Sequence, residues 1–324
     1  MPLRLQRRAL LSALPALPLV VRSARGQGTY PDRPIRLLIG SSAGGGGDTV
    51  ARLVAPSLSA RLGQPIVAEN RPGAAGNIAA EALARAPADG YTLLLIFTGH
   101  VINPALFRRL PFDTARDFAA VAPLANNQTI LLVRADSPYR TLGDLIAAAK
   151  AAPGRLNTGY LQGTTQHLAN EMFLRAAGIQ AEGVPYRGNG PAMTDLLGGT
   201  LDYMFYTLSA LPQIEAGRLR ALGITELRRS SLLPEVPTFD EDGLPGFTAT
   251  GFYGLVAPAG TPSAILARLN EATAAALREE EVRRRLVELG AEPLFASPAE
   301  FGRFLEGEIP RWAAVIRDAR IEPQ

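Results

Sequence analysis

Residues 35–50, IRLLIGSSAGGGGDTV, pass from a short apolar run through four consecutive glycines into a segment with helical periodicity. The run from Ile35 to Ile39 predicts a buried strand, and the periodic segment predicts a helix over about 48–62 that Pro56 should kink or shorten. Each glycine costs backbone entropy, so four in a row need a reason. A glycine-rich turn between strand and helix leaves N–H groups free at the helix N-terminus. There the dipole favours an anion, and a ligand can approach the main chain closely. Glycines also permit tight packing of strand on helix, and this one loop does not separate the two readings. Nucleotide loops fit poorly, because 40–48 contain neither G-K-[ST] nor G-x-G-x-x-G.

Outward from this stretch, strand-length apolar runs alternate with helical patterns. PIVAEN (65–70), a helix over 77–85 and YTLLLIF (91–97) complete a first βαβ unit. The rhythm returns with TILLVRAD (129–136), a helix over 142–152, LNTGYL (156–161), helices over 165–177 and 191–198, and the strands GVPYRG (183–188) and LDYMFY (201–206). LRALGIT (219–225), a proline-rich connection and GFYGLVAPAGTP (251–262) follow, then helical patterns over 263–277, 280–289 and 298–320. Those last helices have no βαβ unit of their own and need a sheet to cover. The chain is therefore expected to pass twice between lobes, with 27–126 plus 250–324 forming lobe 1 and 127–249 forming lobe 2.

A second loop runs from strand into helix at GYLQGTTQHLANEMF (159–173), through Gly163, Thr164 and Thr165. These are small residues that can turn N–H and hydroxyl groups toward an anion. Two such helix starts, one per α/β unit, would capture a carboxylate between them if the units enclose a cleft.

Composition removes other classes of function. The 324-residue chain has no cysteine, so thiolate metal sites, disulfides and thiol nucleophiles are excluded, and its two histidines, His100 and His167, match no metal-ligand spacing. No cofactor or metal is expected. Arg4, Arg7 and Arg8, an apolar run over 9–21 and the small-residue stretch RSARGQG read as a signal peptide over 1–26, removed on export to the periplasm. The adjacent Arg7 and Arg8 also permit a twin-arginine route. Without the five arginines of that leader, 28 basic residues face 30 acidic ones, a charge near −2. No basic patch remains for nucleic acid, and no later run is long enough to span a bilayer.

Several ordered motifs carry a resemblance: YPDRPI (30–35), the glycine run ending in Asp48, LGQPIVAENRPGAAGNIAAEALARAPADGYTLL (62–94), INPALFRRLPFDTARDFAAV (102–121), VPYRGNGPAMTDLLGGTLDYMF (184–205), PEVPTFDEDGLPGF (234–247) and GLVAPAGTP (254–262). Together they resemble the extracytoplasmic solute receptors of the tripartite tricarboxylate transporter family, also called the Bug family. The resemblance implies an α/β, two-lobed periplasmic-binding-protein fold of type II, the Venus-flytrap kind, acting as a monomer. It implies capture of a small carboxylate (a di- or tricarboxylate or an aromatic acid), delivery to a membrane permease of the tripartite type, and no catalysis.

Carried onto this chain, the resemblance places a first ligand loop at Ser41, Ser42, Ala43, Gly44, Gly47 and Asp48. It places a second at Gln162, Gly163, Thr164 and Thr165, with His167 behind it. Relatives commonly read Pro-Phe where this chain has Gly40-Ser41. Many carry an acid where this chain has Tyr206, and such an acid holds a ligand ammonium group in amino-acid-binding members. Tyr206 instead offers an aromatic wall and one hydroxyl. Thr98 and His100, just beyond the strand YTLLLIF, lie where parallel-sheet ligands bind.

Each site residue also has a structural reading. Asp48 can cap the first helix, His100 can be a loop residue satisfied by backbone, and His167 can cap or pack. Asn70-Arg71-Pro72-Gly73 reads as a turn. The run REEEVRRRLVELG (278–290) reads as a solvated helix face with Glu279–Arg283 and Glu280–Arg284 pairs. Two other functions remain open at this point, a periplasmic sensor with the same clamshell and a secreted α/β enzyme, although the chain has no G-x-S-x-G elbow.

Overall fold

The computed structural model describes residues 30–186 and 188–323; the expected leader over 1–26 lies outside them. The first half of the described chain runs β1 (Ile35–Ile39), α1 (Gly46–Leu62), β2 (Ile66–Asn70), α2 (Asn77–Ala84), β3 (Thr92–Phe97), α3 (Gly99–Leu106) and β4 (Phe118–Asn127). Next come β5 (Thr129–Arg134), α4 (Leu142–Ala151), β6 (Asn157–Tyr160), α5 (Thr165–Ala177), β7 (Glu182–Pro185), α6 (Asn189–Gly198), β8 (Tyr203–Thr207), α7 (Leu211–Glu215) and β9 (Leu219–Ile224). The chain ends with β10 (Gly251–Pro258), α8 (Ser263–Leu277), α9 (Glu280–Glu288) and α10 (Pro298–Asp318).

These strands form two five-stranded sheets, ordered β2-β1-β3-β10-β4 and β7-β6-β8-β5-β9, which give a two-lobed α/β fold. The sheets are mixed rather than purely parallel. In the first, β1 is parallel to β2 and β3 while β10 runs antiparallel to both β3 and β4. In the second, β6 is parallel to β7 and β8 while β5 runs antiparallel to both β8 and β9. The antiparallel strand in each sheet is the first that the chain forms after leaving the other sheet. It enters from the shared edge and must run away from it, opposite to its neighbours. Its N-terminal end therefore meets the C-terminal ends of the parallel strands: Tyr253 of β10 pairs with Phe97, the last residue of β3.

Two elements differ from the sequence reading. β4 forms although Pro123 and its run of alanines argue against a strand. It lies at the sheet edge with a register shift beside the proline, the places where a strand tolerates one. α1 continues through Pro56 to Leu62. Beyond the proline it is tied to the residue that opens α9: Ser57 Oγ and Arg61 Nη2 donate to Glu279 Oε1 at 2.6 and 2.7 Å. Glu279 is thus engaged away from Arg283, and Arg284 pairs with Glu281 and Glu288 instead of Glu280. The i,i+4 pairs expected there do not form, since Glu279 is extended and stands outside the helix.

α8 and α10 pack on β4, which gives the C-terminal helices a sheet to cover. The apolar core runs from Leu38 and Leu94 past Trp312 of α10 to Phe173 and Phe205 of the second sheet's layer. Trp312 is fully buried, and its indole N–H donates to Glu308 Oε2 at 2.8 Å.

Candidate functional site

At the shared edge of the two sheets lies a cleft of about 380 Å³. Seven of the residues expected from sequence line it: Ser41, Gly47, Thr98, Gln162, Gly163, Thr164 and Thr165. So does Gly46 of the same glycine run, together with Ala75, Phe97, Gly99, Asn103, Asn127, Gln166, Phe252 and Tyr253, which the sequence did not single out. None of these lining side chains is charged.

Three helix N-termini reach this cleft. α1 brings Gly46 and Gly47, α3 brings Gly99, and α5 brings Thr165 and Gln166. The first N–H groups of a helix have no partner within it, and each terminus carries roughly +0.5 of a charge, so together they offer about +1.5. The third terminus is new relative to the sequence reading, in which α3 stayed hidden because Pro104 interrupts its short pattern.

The first loop is built for close approach. Gly44 has φ +79, a backbone conformation that favours glycine, and a Cβ on Gly46 would stand 2.7 Å from Tyr253 Oη. Ser41 Oγ is buried with no hydrogen-bond partner, while Ser41 O accepts from Asn70 Nδ2 at 3.0 Å. Ser42, Ala43 and Gly44 face solvent and do not line the cleft.

Asp48 is neither N-cap nor cleft residue. Gly45 is the N-cap, and Asp48 sits buried in the first turn. Its Oδ2 accepts from Gly44 N at 2.9 Å, and its Oδ1 accepts from Arg52 Nε at 2.8 Å and Asn70 Nδ2 at 2.9 Å. Burial works to raise its pKa, but the bonds from Gly44, Asn70 and Arg52 prevail and hold the carboxyl below its ordinary value.

The second loop bonds mainly to itself. Gly163 N donates to His167 Nδ1 at 3.3 Å; Thr164 Oγ1 donates to Leu161 O at 2.8 Å and accepts from His167 N at 3.3 Å, capping α5. His167 stacks on Tyr160 and does not line the cleft; burial pushes its pKa down to about 4. Thr165 and Gln166 remain as this loop's forward-facing helix start, and Gln166 Nε2 donates to Thr129 Oγ1 at 3.3 Å.

His100 lies behind the cleft rather than in it. It packs between Phe112 and Phe118, with ring centroids 6.3 and 4.8 Å away, and burial pushes its pKa down to about 4. Thr98, its neighbour, does line the cleft and accepts from Phe252 N at 2.9 Å, which pins the start of β10 to the end of β3. Tyr206 is half-buried on β8, packed against the buried cluster that contains Ile130, Leu132 and Leu208, and does not line the cleft.

Opposite the glycine run, the turn after Asn70 does more than reverse the chain. Gly73, Ala74, Ala75 and Gly76 all have positive φ, at 122, 46, 54 and 93°. For the two alanines this costs roughly 1–3 kcal/mol each. Asn103 Nδ2 holds the turn through Ala75 O at 3.1 Å and Asn77 Oδ1 at 2.7 Å, so that Ala75 faces the cleft.

Among the described residues no group of three His, Asp or Glu side chains is placed to hold a metal ion. No described helix is long and apolar enough to cross a membrane.

With this geometry in hand, comparison with known proteins gives a consistent result. The model of the tripartite tricarboxylate transporter family receptor matches residues 50–321. Protein BugT of Bordetella pertussis is 36% identical over 294 residues, covering 90% of each chain. A solved structure of R. palustris Rpa4515 with adipate superposes with a TM-score of 0.78 at 36% identity, over 91% of this chain and all of that one. MatC from Rhodopseudomonas palustris with bound malate gives a TM-score of 0.74 at 35% identity, over 89% of this chain and 100% of that chain.

Proposed function

The chain belongs to the tripartite tricarboxylate transporter receptor family, and from that premise we propose that it is a periplasmic receptor for a small carboxylated metabolite. The receptor works as a monomer and delivers its ligand to a membrane permease. The observation that carries the reading is the convergence of three helix N-termini on one cleft without a charged side chain. Such a site holds an oxyanion by main-chain donors and dipoles. Adipate and malate in the two related structures support the same ligand chemistry. In this reading residues 30–127 with 250–323 form one jaw and 129–249 the other. The chain crosses between them at Gln128 and again between Ala249 and Gly251.

The receptor reading is also favoured over an enzymatic one by where the histidines lie. Both are buried outside the cleft lining, so neither is placed to activate a serine or threonine there. The test is a thermal-shift screen of malate, adipate, citrate and benzoate against amine and neutral analogues. A ligand binding only the folded state at 100 times its Kd adds about 2.7 kcal/mol. At least one carboxylate should raise the melting temperature; a screen in which none does overturns the proposal.

A further inference from the structure

We propose that Tyr253 is a ligand-binding residue whose phenol, together with Ser41 Oγ, donates to the carboxylate held over the first turn of α1. The inference rests on the carboxylate-receptor reading and assigns the side chains that complete its first-lobe pole. Buried hydroxyls are normally hydrogen-bonded, and one that is not calls for an explanation. One such group and a second, half-buried hydroxyl flank the same turn. Ser41 Oγ is buried without a partner, and it would touch a Cβ placed on Gly47 at 3.2 Å. Tyr253 is half-buried at the cleft; its Oη makes no hydrogen bond to a described residue, and it would meet a Cβ on Gly46 at 2.7 Å.

The one carboxylate of this loop is already engaged. Asp48 is held by Gly44, Asn70 and Arg52, and Ser41 Oγ and Tyr253 Oη are left as donors with no acceptor among the described residues. Burial also pushes the Tyr253 phenol above its ordinary pKa, so it stays protonated and able to donate. The position of the ring is fixed from behind: Tyr253 pairs with Phe97 on one side and Ala125 on the other. The side chain therefore approaches α1 where only glycine leaves room for it. A carboxylate placed there would receive the two hydroxyls and the N–H groups of the helix start, acceptor atoms meeting donors throughout.

The experiment is a double-mutant cycle read by calorimetric titration with malate and adipate. Tyr253→Phe should weaken the better-bound probe by at least about 10-fold, as expected for a lost bond to a charged acceptor. Its unliganded melting temperature should stay unchanged, because the hydroxyl removed has no partner. Gly46→Ala should weaken binding in the wild-type background by displacing Oη, and should weaken it much less when Tyr253 is already Phe. Equal affinities for wild type and Tyr253→Phe, or fully additive effects of the two substitutions, overturn this inference and leave the receptor reading standing. Failure of the wild-type protein to bind either probe, with no shift in the wider carboxylate screen, overturns both.

Discussion

The loop from β1 into α1 leaves a buried hydroxyl unpaired at Ser41, whereas the loop from β6 into α5 pairs its own donors internally through His167 and Leu161. Both loops are rich in small residues and both open a helix at the cleft. In the receptor reading proposed above, the first is shaped by what it must admit, and the second by what it must hold still. A clamp that closes on a ligand gains from that division: a preorganised jaw loses little entropy on binding, while an open set of donors supplies the contact energy.

The largest effect that would sharpen this contrast is on affinity, in the first loop. Ser41→Ala removes a hydroxyl that has no protein partner, so it should leave the unliganded stability unchanged or slightly raised. Affinity for the bound carboxylate should fall by about 1.5–3 kcal/mol, on the order of 10- to 150-fold in Kd. Calorimetric titration and chemical denaturation on the same preparation check both halves. A variant that loses stability without losing affinity would erase the distinction between the loops.

Next comes pH, which should act on the second loop and not the first. His167 is buried with its pKa pushed from 6.5 down to about 4, so the folded state binds fewer protons than the unfolded chain between those values. Stability from this source is therefore complete above about pH 6.5 and is lost as pH falls toward 4, and His100 acts in the same sense. Protonation also takes away the Nδ1 lone pair that accepts from Gly163. Glu226 pulls the other way: burial and the nearby Glu292 push it up to about 7, so it keeps a proton that the unfolded chain gives up. The histidine contribution is thus read as a difference. Between about pH 7 and about pH 5, wild type should lose on the order of 2 kcal/mol more than His167→Gln. Parallel stability profiles for the two would contradict the assignment.

Local pattern made much of this molecule readable and left its site only half so. α5 and α8 begin and end where hydrophobic periodicity places them, and the β1–α1 and β6–α5 loops stand out through their glycines and threonines. Thr98 was legible because it follows a strand. Tyr253, Asn127 and Ala75 were not, since each reaches the cleft through sheet order or a strained turn rather than through its neighbours in sequence. Tyr253 illustrates the reason. In GFYGLVAP it reads as one apolar strand residue among several, and only the antiparallel insertion of β10 beside β3 brings its ring to the cleft edge. The histidines misled in the opposite direction. Their positions in the chain are those of ligand residues, but His100 packs edge-on against Phe118 and His167 stacks on Tyr160, and neither lines the cleft.

The smallest expected effect is the reciprocal of the Ser41 experiment. Thr164 caps α5: its Oγ1 accepts from His167 N and donates to Leu161 O, and nothing in that arrangement leaves its hydroxyl free for a ligand. Thr164→Val keeps the shape and removes the cap, which should cost about 1 kcal/mol of stability. Thr164→Ser keeps the cap and should cost little. Affinity should change by no more than about twofold in either variant once both are measured well below their melting temperatures, because the N–H groups of Thr165 and Gln166 remain in place. Urea denaturation gives the first number and calorimetric titration the second. If Thr164→Val instead keeps full stability and loses affinity as Ser41→Ala does, then its hydroxyl leaves Leu161 when ligand binds, the second loop is an open set of donors like the first, and the asymmetry between the two jaws belongs only to the unliganded state.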